Sequence, residues 1–183
     1  MTEIIDEQVT AELDGGFVVM RLGMRINTLW KPHKWLPIIR ANLKMLDELE
    51  TNPDIGMLAY DTKLGIRNFE NVLYWNSFED LRNWALDPDS SHAPTMKGTM
   101  DRMEASDDVG LWHELYIVDG DSYENVYYNS PPIGLGKAAE LRSTEGHRKT
   151  AAGRLGMTDG EDYGYDGEDV QAESISTDCS RRK

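Results

Sequence analysis

Histidines 33, 92, 113 and 147 have the widest chemical range in this chain, since an imidazole can act as base, hydrogen-bond donor or metal ligand. Their spacing contains no His-x-x-x-His or comparable ligand pattern, so no metal is expected. His33 lies in Trp30-Lys-Pro-His33-Lys-Trp35, shortly after Asn27. Two indoles and an imidazole in one loop can line a pocket for an aromatic ligand, or can cap a core at a helix N-terminus. His113 shares a strand face with Leu111, Leu115 and Ile117. It is either a satisfied core histidine or, beside a cavity, a general base or donor. Glu114 falls on the opposite face with Trp112 and Tyr116, either at a subunit seam paired with Arg21 or Arg25, or on the surface. His92, in Ser-Ser-His-Ala-Pro, opens a short helix and is either open to water or an axial haem ligand.

Other signatures are excluded. Gly134-Leu-Gly136 has no βαβ unit after it, which rules out a dinucleotide site. There is no Gly-x-Ser-x-Gly elbow and no P-loop. The lone cysteine, Cys179, excludes an intramolecular disulfide, a Cys-rich zinc site and a cysteine-ligated iron–sulfur cluster.

The elements that must position these residues can be read in order. Residues 17–26 alternate, with Val18, Met20, Leu22, Met24 and Ile26 on one face, which predicts a strand. Asp14-Gly-Gly marks a turn, so residues 9–13 form a short strand before it. Leu36, Ile39, Leu43, Leu46 and Leu49 recur at helical spacing, predicting a helix over 34–50 with Pro37 in its first turn. Residues 56–66 and 69–76 read as a hairpin. Ser77 with Asp80 three residues on resembles a capping box for a second helix ending at Asp87-Pro88. A short helix over 92–103 and strands over 109–118 and 123–129 complete the series. The order is β-α-β-β-α-(α)-β-β. It predicts an α+β fold with a ferredoxin-like antiparallel sheet and helices on one face. The second face, carrying Trp, Tyr, Met and Val, then needs cover, which favours a homodimer of packed sheets.

Composition bounds the rest. The 183 residues carry 33 Asp+Glu against 19 Lys+Arg, a net charge of −14, which argues against a nucleic-acid or anionic-membrane partner. The acidity fits either a halophile or an ordinary acidic protein with an acidic tail. The start of the chain is acidic with no apolar run, and no stretch reaches the roughly 18 apolar residues of a membrane helix, so the expected location is cytoplasmic. The expected organisation is a flexible N-terminus over 1–8, a domain over 9–138, and an acidic, disordered tail over 139–183.

Phe17-Val-Val, Leu22-Gly-Met-Arg-Ile-Asn27 and Trp30-Lys-Pro-His-Lys-Trp-Leu-Pro37 resemble the opening of a monooxygenase-like family related to the antibiotic-biosynthesis monooxygenases. Tyr74-Trp75-x-Ser77-Phe78, Asp87-Pro88 with His92, Gly110-Leu-Trp-His-Glu-x-Tyr116, and Tyr127 with Asn129-x-Pro-Pro-x-Gly-Leu-Gly136 continue the pattern over residues 9–138. The resemblance implies a dimeric α+β barrel. It also implies a small-molecule monooxygenase that oxidises an aromatic or electron-rich substrate with oxygen and no cofactor, in a pocket within each subunit. Such chemistry needs a base, a donor for the substrate anion and a dry pocket. On this reading His33 or His113 is the base, Asn27 holds the anion, and Trp30, Trp35, Trp75 and Tyr127 form the walls. The alternatives are a haem enzyme of the same fold with His92 as axial ligand, and a non-catalytic dimeric module that binds a ligand or a protein.

Overall fold

The alternation of Phe17–Ile26 (β2) puts Val18, Met20, Leu22, Met24 and Ile26 on one side of a sheet, as expected, and two helices cover that side. The computed structural model describes residues 4–161. Besides β2 it contains β1 (Val9–Glu12), α1 (Pro32–Thr51), β3 (Met57–Leu64), β4 (Asn68–Trp75), α2 (Phe78–Leu86), α3 (His92–Glu104), β5 (Val109–Val118), β6 (Glu140–Ser143) and α4 (Ala151–Arg154). The main sheet has the order β3-β4-β2-β5, every pair antiparallel. Strand–helix–hairpin–helix–strand with this order is the ferredoxin-like fold, an α+β architecture.

Each element follows from its residues. In α1 the apolar stripe buries Ile38, Met45, Leu46 and Leu49 against the sheet. The helix begins at Pro32, two residues earlier than the stripe predicts, because proline is preorganised for a first helical position. Pro37 therefore lies in the second turn and not the first, and its missing N–H removes the bond to the His33 carbonyl. Asn52 Nδ2 donates to Glu48 O (2.7 Å) and closes the C-terminal end. Ser77 caps α2, accepting from Asp80 N at 3.0 Å. Trp75, 0% exposed, packs with Trp84, Leu81, Leu73 and Leu46 in the larger core cluster. Met24, Ile26, Ile38, Phe69 and Val109 form the cluster at the other end. Among the described residues, no helix is long and apolar enough to cross a membrane.

The short strand expected over 9–13 forms as β1, which pairs antiparallel with β6. The strand expected over 123–129 is not formed; within that segment Tyr127 makes one isolated bridge, to Val9. The reason is Asn125, whose side chain takes the place of a ladder: Oδ1 accepts from Ala11 N (2.7 Å) and Nδ2 donates to Ala11 O (2.9 Å). Packed contacts also reach beyond the span 9–138. Arg148 pairs with Glu12, Arg154 with Glu124, Thr144 Oγ1 donates to Gln8 O, and Ile5 N donates to Ser130 O. These bonds hold residues 140–154 and the start of the chain to the domain despite their polar composition. The remainder of the predicted tail, from 162, lies outside the described residues.

That extra layer also revises the cover of the second sheet face. Ala11, Phe17 and Leu135 form a third core with Val19, Tyr74, Val118, Tyr123 and Tyr127. One end of the face is thus buried by the chain's own ribbon and loop, with no partner copy required there. The Gly134-Leu-Gly136 motif is the keystone. Gly134 has φ +57°, and a Cβ there would meet Tyr74 Oη at 2.9 Å. Gly134 N donates to Asp61 Oδ2 and Gly136 N to Tyr127 Oη, while Lys137 pairs with Asp61.

Candidate functional site

Between the sheet and the helices α1 and α3 lies an apolar cleft enclosing about 60 Å³. Its floor is Met20, Leu22 and Met24 of β2 with Phe69, Leu73 and Leu111 beside them; Ile38, Met45 and Met96 form its helical wall. The helical side places this wall because α1 presents Ile38 and Met45 on its inward stripe. His92, Asn42, Thr95 and Thr99 are the polar side chains that reach it, apart from Trp84.

His92 is fixed from behind. Its Nδ1 lies 3.0 Å from the Ala85 carbonyl, which can only accept, so Nδ1 carries the proton and neutral His92 keeps a lone pair on Nε2. Its ring rests on Trp84 (centroids 4.9 Å apart), and Trp84 rests on Trp75 (5.3 Å). Glu48 of α1 locks this stack: Oε1 accepts from Trp84 Nε1 at 3.3 Å and Oε2 from Ser91 N at 2.9 Å. Burial works against the charged form of Glu48, but the bonds from Ser91 and Trp84, with Lys44 nearby, hold its carboxyl below the usual range.

Asn42 is fixed from the opposite side. Thr62 Oγ1 donates to Asn71 Oδ1, and Asn71 Nδ2 donates to Asn42 Oδ1, both at 2.8 Å. Asn71 is 0% exposed on the strand face that otherwise carries Phe69, Leu73 and Trp75.

Of the residues expected from the sequence, His92 lines this cleft and the others stand elsewhere. Asn27 is exposed and donates from Nδ2 to Asp107 O (2.9 Å), tying the end of β2 to the start of β5. His33 is exposed in the first turn of α1, and Trp30 is 76% exposed. Trp35 packs on the Met24–Ile38 cluster and donates to Leu29 O (3.2 Å), the capping role weighed above. Trp75 is sealed in the core, and Tyr127 lies across the sheet in the third core. His113 sits on the helix-facing side opposite Leu22, but β5 is an edge strand whose residues 112–117 are exposed, His113 among them. Asn27, His33 and His113 therefore do not converge. Asn42 and Asn71 went unselected, although an asparagine at an inward register position of an apolar strand is a readable signal.

On the far face Arg21 bridges Glu70 (2.8 Å) and Glu114 (2.6 Å), so the Arg21–Glu114 pair anticipated above is formed. Its guanidinium stacks 5.2 Å from the Trp112 ring, which lies flat against Gly23. Among the described residues, no cluster of His, Cys, Asp and Glu could hold a metal ion.

The sequence profile of the Monooxygenase af470-like family matches residues 17–135, the span from β2 to the Gly134 turn. Two solved structures of aldoxime dehydratase, one in complex with butyraldoxime, share the fold at a TM-score of 0.61 with 16% and 17% sequence identity. Each likeness covers 76% of this chain and 44% of the other, so this chain spans less than half the length of those proteins. No curated protein matches the sequence closely enough to be called a relative.

Proposed function

The chain belongs to the Monooxygenase af470-like family, and from that premise we propose that it is a small-molecule oxygenase whose substrate enters the cleft between sheet and helices. The observation that carries this reading is a histidine that lines the apolar cleft and has its Nδ1 held by Ala85 O, so that the lone pair stays on Nε2. Dry surroundings exclude competing water, and a substrate anion formed there, paired with the imidazolium that holds its proton, can pass electrons to oxygen without a cofactor. The balance is SH₂ + O₂ → SO + H₂O: one oxygen atom enters the substrate and the other leaves as water with the two hydrogens. The base is thus His92, in place of His33 or His113. The methionines Met20, Met24, Met45 and Met96 make the walls deformable, so the small enclosed volume can widen around a flat ligand. The working unit is a homodimer, its second copy covering the part of the far face where Trp112 and Tyr116 stay exposed.

Haem held through His92 is the second reading. The donor fits, since a neutral imidazole with its rear nitrogen on a carbonyl is a well-oriented ligand. The space fits haem less well than a one- or two-ring substrate, because the roughly 60 Å³ cleft would have to widen far more around a macrocycle.

The test uses 1-naphthol as probe. The purified protein should be colourless and consume one O₂ per 1,4-naphthoquinone and water formed. His92→Ala should lower turnover by about 100-fold. A Soret band in the purified protein would favour the haem reading. Naphthol binding without oxygen uptake would leave the non-catalytic ligand-binding module.

A further inference from the structure

The Thr62–Asn71–Asn42 chain has a direction. The Thr62 hydroxyl donates to the Asn71 carbonyl oxygen, and the Asn71 amide donates to the Asn42 carbonyl oxygen. Both oxygens are engaged, so what remains at the end of the chain is the Asn42 NH₂ group, a pure donor. Among the described residues no acceptor takes a bond from it, and Asn42 lines the cleft. Donors aligned head to tail polarise one another, which strengthens the last one. His92, with Nδ1 given to Ala85 O, offers the opposite, a pure acceptor on Nε2.

We propose that Asn42 and His92 together read a hydroxyl group, so that the cleft selects an apolar molecule bearing one hydroxyl over its bare hydrocarbon. A hydroxyl donates its hydrogen to Nε2 and accepts from Nδ2 on its oxygen, satisfying both residues at once. A ketone would satisfy Asn42 alone, and a hydrocarbon would leave both polar groups desolvated and unpaired. The Thr95 and Thr99 hydroxyls also line the cleft, but each can donate or accept and so does not discriminate. Asn42 is then the specificity-determining residue, and Asn71 and Thr62 are positioning residues that fix which end of the Asn42 amide faces the ligand. The inference rests on the cleft being the binding site, as proposed above.

Equilibrium dialysis under nitrogen, with 1-naphthol and naphthalene as paired probes, tests it. The wild type should hold 1-naphthol about tenfold more tightly than naphthalene, the worth of one to two net hydrogen bonds. Asn42→Leu removes the donor, nearly keeps the volume and adds no acceptor for the hydroxyl of the probe. It should abolish the preference while leaving naphthalene binding unchanged. Thr62→Val should weaken the preference by a smaller factor. Asn71→Leu should abolish it, and Asn42→Leu stands as the decisive variant if that protein fails to fold. Equal binding of both probes by the wild type, with binding of both lost in Met96→Trp, overturns the hydroxyl inference and keeps the cleft as the site. A preference that survives in Asn42→Leu also overturns it. Binding of neither probe overturns both the inference and the cleft.

Discussion

Replacing Gly23 by alanine should destabilise the protein through one side chain, the indole of Trp112. A Cβ at position 23 would stand 2.1 Å from Trp112 Cε2 and 2.2 Å from Cζ2, with no backbone atom among its nearest contacts. The ring must lift by about 1.5 Å to regain ordinary carbon–carbon contact. Overpacking of this sort costs about 1–3 kcal/mol. Lifting the ring also weakens its stacking with Arg21, 5.2 Å away, worth about 0.5–1 kcal/mol at an exposed site. Against this, alanine in a strand interior gains about 0.5–1 kcal/mol over glycine. The net loss should be about 1–2 kcal/mol. In a Trp112→Ala background the clash is gone and only the gain remains, so the same Gly23→Ala change should stabilise. Urea unfolding of the four proteins gives the coupling directly, expected at about 2 kcal/mol. Equal costs in both backgrounds would refute the argument, since the strain would then lie in the backbone and not under the indole.

Trp75→Phe should cost little more than its lost volume, about 1–2 kcal/mol, because the buried Trp75 Nε1 has no hydrogen-bond partner to lose; Trp75→Ala should cost about 3–5 kcal/mol, both read by denaturant midpoint. Arg154→Ala removes the pair with Glu124 and the bond to Arg148 O (2.8 Å); a loss of about 2 kcal/mol is expected, and an unchanged melting temperature would show that α4 adds nothing. The Asp108 carboxyl, held at about 2 by Thr28 and then Lys31, with Ser106 adding to the effect against burial, is depressed below its unfolded value. Its stabilising contribution is therefore complete above about pH 4 and is lost as pH falls toward 2. Asp108→Asn should flatten that part of the stability–pH curve, and an unaltered acid limb would count against it.

The central fold was legible because its signals are local. The two-residue alternation of β2, the Leu46–Leu49 spacing in α1 and the Ser77 cap each act within a few residues, although Leu43 of the same expected stripe is exposed. The site was not, because its position depends on which strand sits at an edge. His113 alternates with Leu111 and Leu115 as a covered strand would, yet β5 is last in the sheet and its cover ends at Leu111. Trp30, His33 and Trp35 cluster in sequence but diverge at the start of a helix, where successive residues face different ways. The β6–α4 segment was hidden for another reason. Its attachment runs through Arg148, Arg154 and Thr144, polar contacts that leave no apolar period to find.

The amide of Asn125 closing on Ala11 has a bearing on edge-to-edge aggregation. A two-stranded ribbon has two rims, and β1 gives one of them to β6. Val9 and Ala11 turn their main-chain groups to the other rim, where Tyr127 and the Asn125 side chain consume them. A side chain cannot itself be paired on its far side as a strand can, so the ribbon ends there and offers no template for a further strand to zip onto. Asn125→Ala would reopen that rim beside Val126, an apolar side chain already in contact with water. The change should show first as concentration-dependent aggregation, before any loss in the melting temperature of the dilute protein.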